Sequence, residues 1–267
     1  MFLFKLKRFI VAILPPVVFN FGQVFSYKFK GRDVRKTIKE KSVIEIPSEY
    51  EATYGDFNKI YNIPVEKLFH YGGQAFNSVD QPFYNYLING EDSLKKYYEN
   101  NQPNNCFDAH KVDINDSNSK PENYKLTLPW HHKIDYIGEF GLGHNHGHSA
   151  FGPVSEKKLK LEVFRIKTCL KSLEKNGYIQ WQLFPKIDSD LPRCYMLKKI
   201  SGECSFHVVG GKHRVACMAY LGWKNIPIKF DISLSRIVLE EECEKWPGVI
   251  NGCYNKDQAI DIFNTYF

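Results

Sequence analysis

Apolar and polar positions sort most sharply between Phe206 and Phe230. Phe206, Val208 and Val209 form a β-prone run, which Gly210 and Gly211 break with a turn that glycine enters freely. Val215, Met218 and Leu221 then fall at i, i+3 and i+6, predicting a helix from Lys212 to Leu221 that Gly222 stops. Ile226, Ile228 and Phe230 alternate as a second strand, with Pro227 at its start. A longer helix is predicted from Ser155 to Tyr178. Ser155 is its N-cap and Glu156 sits in its first turn. Leu159, Val163, Ile166, Leu170 and Leu173 keep helical spacing, and Asn176-Gly177 ends it.

Upstream the pattern is shorter. Pro64 stands at a helix N1 position in Ile63–Asn77, a stretch that ends in a Gly72-Gly73 turn, with Gln74 and Asn77 as polar groups beside it. Two short helices split at Asn89-Gly90 follow. Phe83, Tyr86 and Leu87 make one face; Leu94, Tyr97 and Tyr98 make the other, and the tyrosines read as core. Gly31–Lys41 is polar and reads as a linker or exposed helix. Asn100–Asn123 is rich in Asn, Asp, Ser and Pro, the composition of a junction. Near the end, Asn255 and Gln258 make a capping-box-like start, and Ala259, Ile260, Ile262, Phe263 and Phe267 form an apolar face that would dock on the core. The class is α+β with a mainly helical N-terminal region. Four units follow: a basic apolar segment (1–40), a helical or irregular accessory region (41–125), a mixed domain (126–240) and a docking helix (241–267).

At 267 residues and 43% hydrophobic, the chain can bury a sizeable core. A net charge of +6 permits anionic partners without selecting among them. Seven scattered cysteines without a CxxC pair read as reduced thiols in a cytoplasmic protein. Between Met1 and Lys30, basic residues flank FIVAILPPVVF, a run too short to span a bilayer and broken by Pro15-Pro16. It reads as a segment lying on an anionic membrane surface, as a helix docked on the core, or as an uncleaved signal or anchor. The first reading places the protein peripherally at the inner face of the membrane.

The glycine pair at the strand-to-helix turn is the clearest candidate for chemistry. Backbone N–H groups and the helix dipole favour an anion there, and Lys212, His213 and Arg214 add cationic side chains, so phosphate is the anion that suits it best. Arg165, Thr168 and Ser172 share a second face of the long helix and suit phosphate or ribose contacts. His144, His146 and His148 alternate, and on an extended strand would point at one metal ion. The interleaved Gly141, Gly143 and Gly147 favour instead a loop lining the active site.

These segments resemble the ParB/sulfiredoxin-like superfamily. In sulfiredoxin a Gly-Gly-Cys-His-Arg-Tyr turn holds ATP phosphates. In ParB a Gly-x-x-Arg-x-x-Ala segment does so for its nucleotide. Gly211 and Arg214 fall on the ParB pattern, with Val215 before an alanine, Ala216, that comes one residue early. The family's ATP-touching helix positions fall on Arg165, Thr168 and Ser172, and its Ser-Ile-x-x-x-Gly helix end is matched by Ser172-Leu173 through Gly177. The resemblance covers about the last half of the chain and implies a ParB/sulfiredoxin-like domain over 126–240.

It also narrows the activity. Lys212 stands where sulfiredoxin has its active-site cysteine, which disfavours sulfinic acid reduction. Too little chain follows Phe230 for a helix-turn-helix domain, so a DNA partner is disfavoured. The superfamily's small-molecule kinases remain. They imply a nucleotide-dependent phosphotransferase using ATP or another nucleotide with Mg²⁺, acting on a hydroxyl of a small molecule or saccharide. Its phosphates would lie on Gly210, Gly211, Lys212, His213 and Arg214. Lys212 and Arg214 would stabilise charge, and Glu156, Glu162 or Glu139 would serve as the base. The N-terminal segment looks like those of bacterial surface-polysaccharide enzymes. The alternatives are a non-catalytic nucleotide-binding module, or a ParB-like nuclease whose histidines hold a metal.

Overall fold

The computed structural model describes residues 35–38, 44–56, 59–113, 126–132, 142, 144–181, 191–231 and 233–267. The N-terminal basic segment, Glu139, and most of the polar junction after Asp113 lie outside the described residues. Among the described residues no helix is long and apolar enough to cross a membrane.

A mixed sheet organises the chain. Its centre is β6 (Arg193–Lys198), which pairs antiparallel with β7 (Cys204–Gly210), Met196 opposite Phe206. The other edge of β6 is shared: Arg193 and Cys194 pair in parallel with β8 (Asn225–Phe230), and Met196 to Lys198 with β9 (Ile237–Leu239). Beyond β7 lies β3 (Leu68–His70), parallel to it, then β4 (Gln74–Ala75). Beyond β8 lies β2 (Tyr61–Pro64), antiparallel to it. Alternation along β6 sends Cys194 and Met196 to one apolar cluster and Tyr195 and Leu197 to another. Both faces of the sheet are therefore covered, and its strands read as near-continuous apolar runs.

The first cluster is closed by α2 (Pro82–Asn89), α3 (Glu91–Asn100), α5 (Glu156–Asn176) and α6 (Lys212–Tyr220), in which α2 and α5 both pack on α6. The second is closed by α4 (Cys106–His110), a 3₁₀ turn at Glu240–Lys245, α7 (Pro247–Ile250) and α8 (Lys256–Asn264), which docks through Ala259, Ile262 and Phe263. Helix α5 keeps its sequence signals: Ser155 Oγ accepts from Lys158 N at 3.1 Å and Gly177 caps the end. The capping box of α8 forms as its spacing predicts. Helix α1 (Glu49–Tyr54) joins the first cluster only through Ala52, its one buried residue.

Two expectations are corrected. Ile63–Asn77 does not start a helix at Pro64. Pro64 ends β2, Val65–Lys67 make a 3₁₀ turn, and β3 and β4 follow. Ile63, Leu68, Phe69 and His70 are all buried, and sheet pairing with β7 and β8 outweighs the local helix start. These strands come from the region read as a helical accessory unit and complete the sheet of the later segment. Within the polar stretch Gly31–Lys41, β1 (Arg35–Ile38) is a strand. It pairs with β5 (Tyr178–Trp181), the strand after α5, in a two-stranded ladder apart from the main sheet.

Candidate functional site

The turn between β7 and α6 is built by close approach. Gly211 has φ +77°, and a Cβ on it would lie 2.9 Å from Pro192 Cα. A Cβ on Gly210 would lie 2.9 Å from Arg193 Nε and NH2. The two glycines thus let the turn press against the start of β6, and bring the Arg193 guanidinium over the backbone of Gly210. Helix α6 begins at once, with no side chain capping its N-terminus. Its first-turn amides and dipole carry partial positive charge to this point.

A cleft of about 180 Å³ opens in front of the turn, lined by Gly210, Gly211, Lys212, His213, Val209, Arg165, Arg193 and Ser149. Four elements and a loop converge: β7 brings Val209 and Gly210, α6 brings Lys212 and His213, α5 brings Arg165, β6 brings Arg193, and the loop before α5 brings Ser149. That loop is tied to α3. Tyr98 Oη donates to Ser149 O at 3.0 Å, Tyr97 Oη donates to Ala150 O at 2.6 Å, and Gly152 N donates to Asn101 O at 2.8 Å.

The nearby carboxylates stand behind the cations. Glu162 is fully buried, with Oε2 at 2.5 Å from His213 Nε2, and Oε1 at 2.8 Å from Lys158 Nζ and 3.6 Å from Arg165. Burial alone would raise the Glu162 carboxyl. The charge and hydrogen bond of His213, with Arg165 and Lys158, overturn that and hold it far below the usual carboxylate range. On the other wall Asp231, buried, takes Arg193 at 2.8 Å and also accepts from Ser233 N at 2.8 Å. Such carboxylates orient the cations; neither is among the residues lining the cleft.

Beneath the turn lies a layer of histidines. Trp130 Nε1 donates to Tyr195 Oη at 2.9 Å, and Tyr195 Oη is 2.6 Å from His207 Nδ1. Burial first, then His131, Lys212 and His110, hold His207 well below its usual pKa, while burial raises Tyr195. The phenol therefore donates to a neutral imidazole. His70 is likewise held neutral, by burial, then Lys212, His207 and His148, and its ring lies 5.9 Å from those of Phe76 and Phe83. Phe83 also lies 4.3 Å from the His213 ring, so one aromatic backs both histidines.

Of the residues singled out from sequence, the cleft gathers Gly210, Gly211, Lys212, His213 and Arg165. Arg214 is half-buried and does not line it. Its charge acts on Cys169, whose thiol is lowered first by the Cys217 hydrogen bond, against burial, and then by Arg214 and Arg165. Thr168 and Ser172 are exposed and do not line the cleft; at 1.5 Å of rise per residue they stand about 4.5 Å and about 10.5 Å further along α5 than Arg165. Glu156 is exposed and bound to Lys160 at 2.5 Å, away from the cleft, so it does not reach the turn as a base. Glu162 stands behind the wall as an ion-pair hub.

His146 and His148 take separate partners. Residues 144–146 form a 3₁₀ turn rather than a strand, His146 Nδ1 lies 2.8 Å from Ser155 Oγ, and His148 Nδ1 accepts from Ala150 N at 3.1 Å while its ring stacks on Phe151. The side chain of His144 lies outside the described residues. Among the described residues no three His, Cys, Asp or Glu side chains are grouped as metal ligands. The glycine-rich loop does line the cleft, but through Ser149 rather than a histidine. Sequence reasoning missed Ser149 and Arg193. Arg193 is found only through its register opposite Gly210.

No family model matches this chain, and no curated protein shows significant similarity to it.

Proposed function

We propose that this chain binds the phosphates of a nucleotide at the β7–α6 turn, in a ParB/sulfiredoxin-like arrangement of α5, β7 and α6. The observation that carries this reading is the gathering of Arg165, Arg193, Lys212 and His213 around Gly210-Gly211, with both neighbouring carboxylates engaged behind them. Arginine forks, a lysine point charge and helix N–H groups are the donors that phosphate oxygens take.

The donor set fits phosphate and does not fit Mg²⁺. That ion takes carboxylate and water oxygens, and the cleft wall offers it cations and no carboxylate. Of the two roles such a site can have, nucleotide binding without transfer fits the wall best: a base must be free to accept a proton, whereas Glu162 is held ionised against His213 and Lys158. Phosphoryl transfer to a hydroxyl of a small molecule or saccharide is the second reading. It is favoured by the order of the two superfamily-like segments along the chain, and its base would be Glu139.

Thermal unfolding with ATP, ADP and CTP, on wild type and Lys212→Ala, tests the binding reading. A ligand at a hundred times its Kd stabilises the folded state by about 2.7 kcal/mol. The wild type should shift upward and the variant much less. If none of the three nucleotides shifts the wild type, the reading fails. Transfer is scored separately, by phosphorylated product that Glu139→Ala abolishes.

A further inference from the structure

The cleft measures about 180 Å³, well below the roughly 300–1,000 Å³ of sites that enclose a drug-sized ligand. A whole nucleotide is not enclosed by it. Its lining is Arg165, Arg193, Lys212, His213, two glycines, Val209 and Ser149, with no Phe, Tyr or Trp among the described residues on which a base would stack. Ser149 is 2% exposed, and its Oγ has no hydrogen-bond partner among the described residues. Its backbone is held from the other side by Tyr98. A buried hydroxyl without a partner is costly, and a site that leaves one so has a use for it.

Resting on the phosphate-binding reading, we propose that the cleft recognises a terminal phosphate group, with Ser149 Oγ and Arg193 as direct ligands, and leaves the rest of the ligand outside. The hydroxyl donates to one oxygen of the group. The Arg193 fork, oriented by Asp231 and seated over Gly210, takes another. Several cations against few carboxylates favour a dianion over a monoanion, hence a phosphomonoester or the end of a polyphosphate over a phosphodiester. A sugar phosphate and a nucleoside di- or triphosphate share this chemistry.

Titration calorimetry on the full chain would use pyrophosphate, glucose 1-phosphate, ATP, CTP and, as the diester, cyclic AMP. The expected result is binding of the first four with similar affinity and at least tenfold weaker binding of cyclic AMP. Ser149→Ala should weaken all four by about tenfold or more, the loss of one hydrogen bond to a charged group. Thr168→Ala, on the exposed face of α5, should leave them unchanged. ATP binding far tighter than both pyrophosphate and CTP would reveal a nucleoside pocket and overturn the proposal. Preference for glucose 1-phosphate over pyrophosphate and ATP would assign the site to a sugar phosphate and support it. Unaltered affinity in a folded Ser149→Ala overturns it while the phosphate-binding reading stands. If no probe binds the wild type, both fall. A Ser149→Ala that unfolds is replaced by Arg193→Lys, which should weaken the four ligands alike; unchanged binding there overturns the proposal.

Discussion

Glu162 Oε2 lies 2.5 Å from His213 Nε2, across the contact between α5 and α6. The same carboxylate holds Lys158 at 2.8 Å, and all three side chains are nearly removed from solvent. One fully buried anion therefore ties the wall of the cleft to the long helix beneath it.

Removing that charge should be expensive. Glu162→Gln keeps the shape of the side chain and leaves Lys158 buried without its carboxylate. Breaking a buried pair in this way costs about 3–5 kcal/mol, read as a lower midpoint in urea denaturation with little change in slope. Lys158→Met with Glu162→Gln should recover part of the loss. A single variant as stable as wild type would show that the pair does not exist in solution.

The same carboxylate sets an acid limit. Its folded pKa is depressed, so the unfolded chain binds the proton more readily. Its contribution is fully present above the unfolded value of about 4.3 and is lost as pH falls from there towards the depressed folded value. Stability of wild type minus Glu162→Gln, measured between pH 7 and pH 3, should be flat at first and then shrink. A difference that grows with acid would contradict the arrangement.

Two histidines, His110 buried and His131 half-buried, act at higher pH. Burial first lowers His110 to about 4, against its hydrogen bond to Cys106, and lowers His131 to about 4, helped by His132. Both pKa values are depressed, so their stabilising effect is complete above about 6.5 and is lost as pH falls towards about 4. The unfolded state takes up these protons first, and unfolding free energy should fall by on the order of 3 kcal/mol per histidine across that window. Denaturation midpoints every half unit of pH, on wild type and on His110→Gln, check this: the variant should show a shallower slope, with His131, His207 and His70 supplying what remains.

Tyr195 relays between Trp130 and His207 by one hydroxyl. Tyr195→Phe strands an indole N–H and an imidazole nitrogen in the interior, at a cost of about 1–3 kcal/mol for each group left unpaired. Phosphate affinity at the turn should change little, because the cleft residues are untouched. Stability and binding measured on the same preparation separate the two effects.

Gly211→Ala should act on both. Its φ of +77° strains an alanine by about 1–2 kcal/mol, and the added methyl meets the Pro192 backbone, which has no room to give. Gly210→Ala meets only the end of the Arg193 side chain, so it should be mild on stability and should displace the guanidinium from the cleft. Melting curves with and without pyrophosphate distinguish the two glycines; equal stability loss would refute the assignment.

The local elements around the site were readable from residue order. Helix α5 announces itself through Ser155, its apolar spacing and Gly177. The strand, Gly-Gly, basic helix and strand of β7–α6–β8 do so through alternation, glycine and helical period, all effects of near neighbours in the chain. Arg165 was readable as well, as a cation on a helix face. Thr168 and Ser172 share that face, but stand about one and two turns further along the helix, exposed and outside the cleft.

What the tertiary structure alone decided depends on separation along the chain. Pro64 looks like a helix start until β2 finds β8, more than 160 residues later. Glu162 looks like an available base until His213, 51 residues away, docks on it. Arg193 and Ser149 reach the cleft only because β6 lies in register with Gly210 and because α3 holds the loop before α5. Composition and spacing determined the helices and strands around the β7–α6 turn and marked that turn as the candidate anion site. Burial and long-range pairing decided which carboxylates are neutralised behind the cations and which side chains line the cleft. No periodicity encodes those choices, because they follow from desolvation and contact between distant parts of one chain.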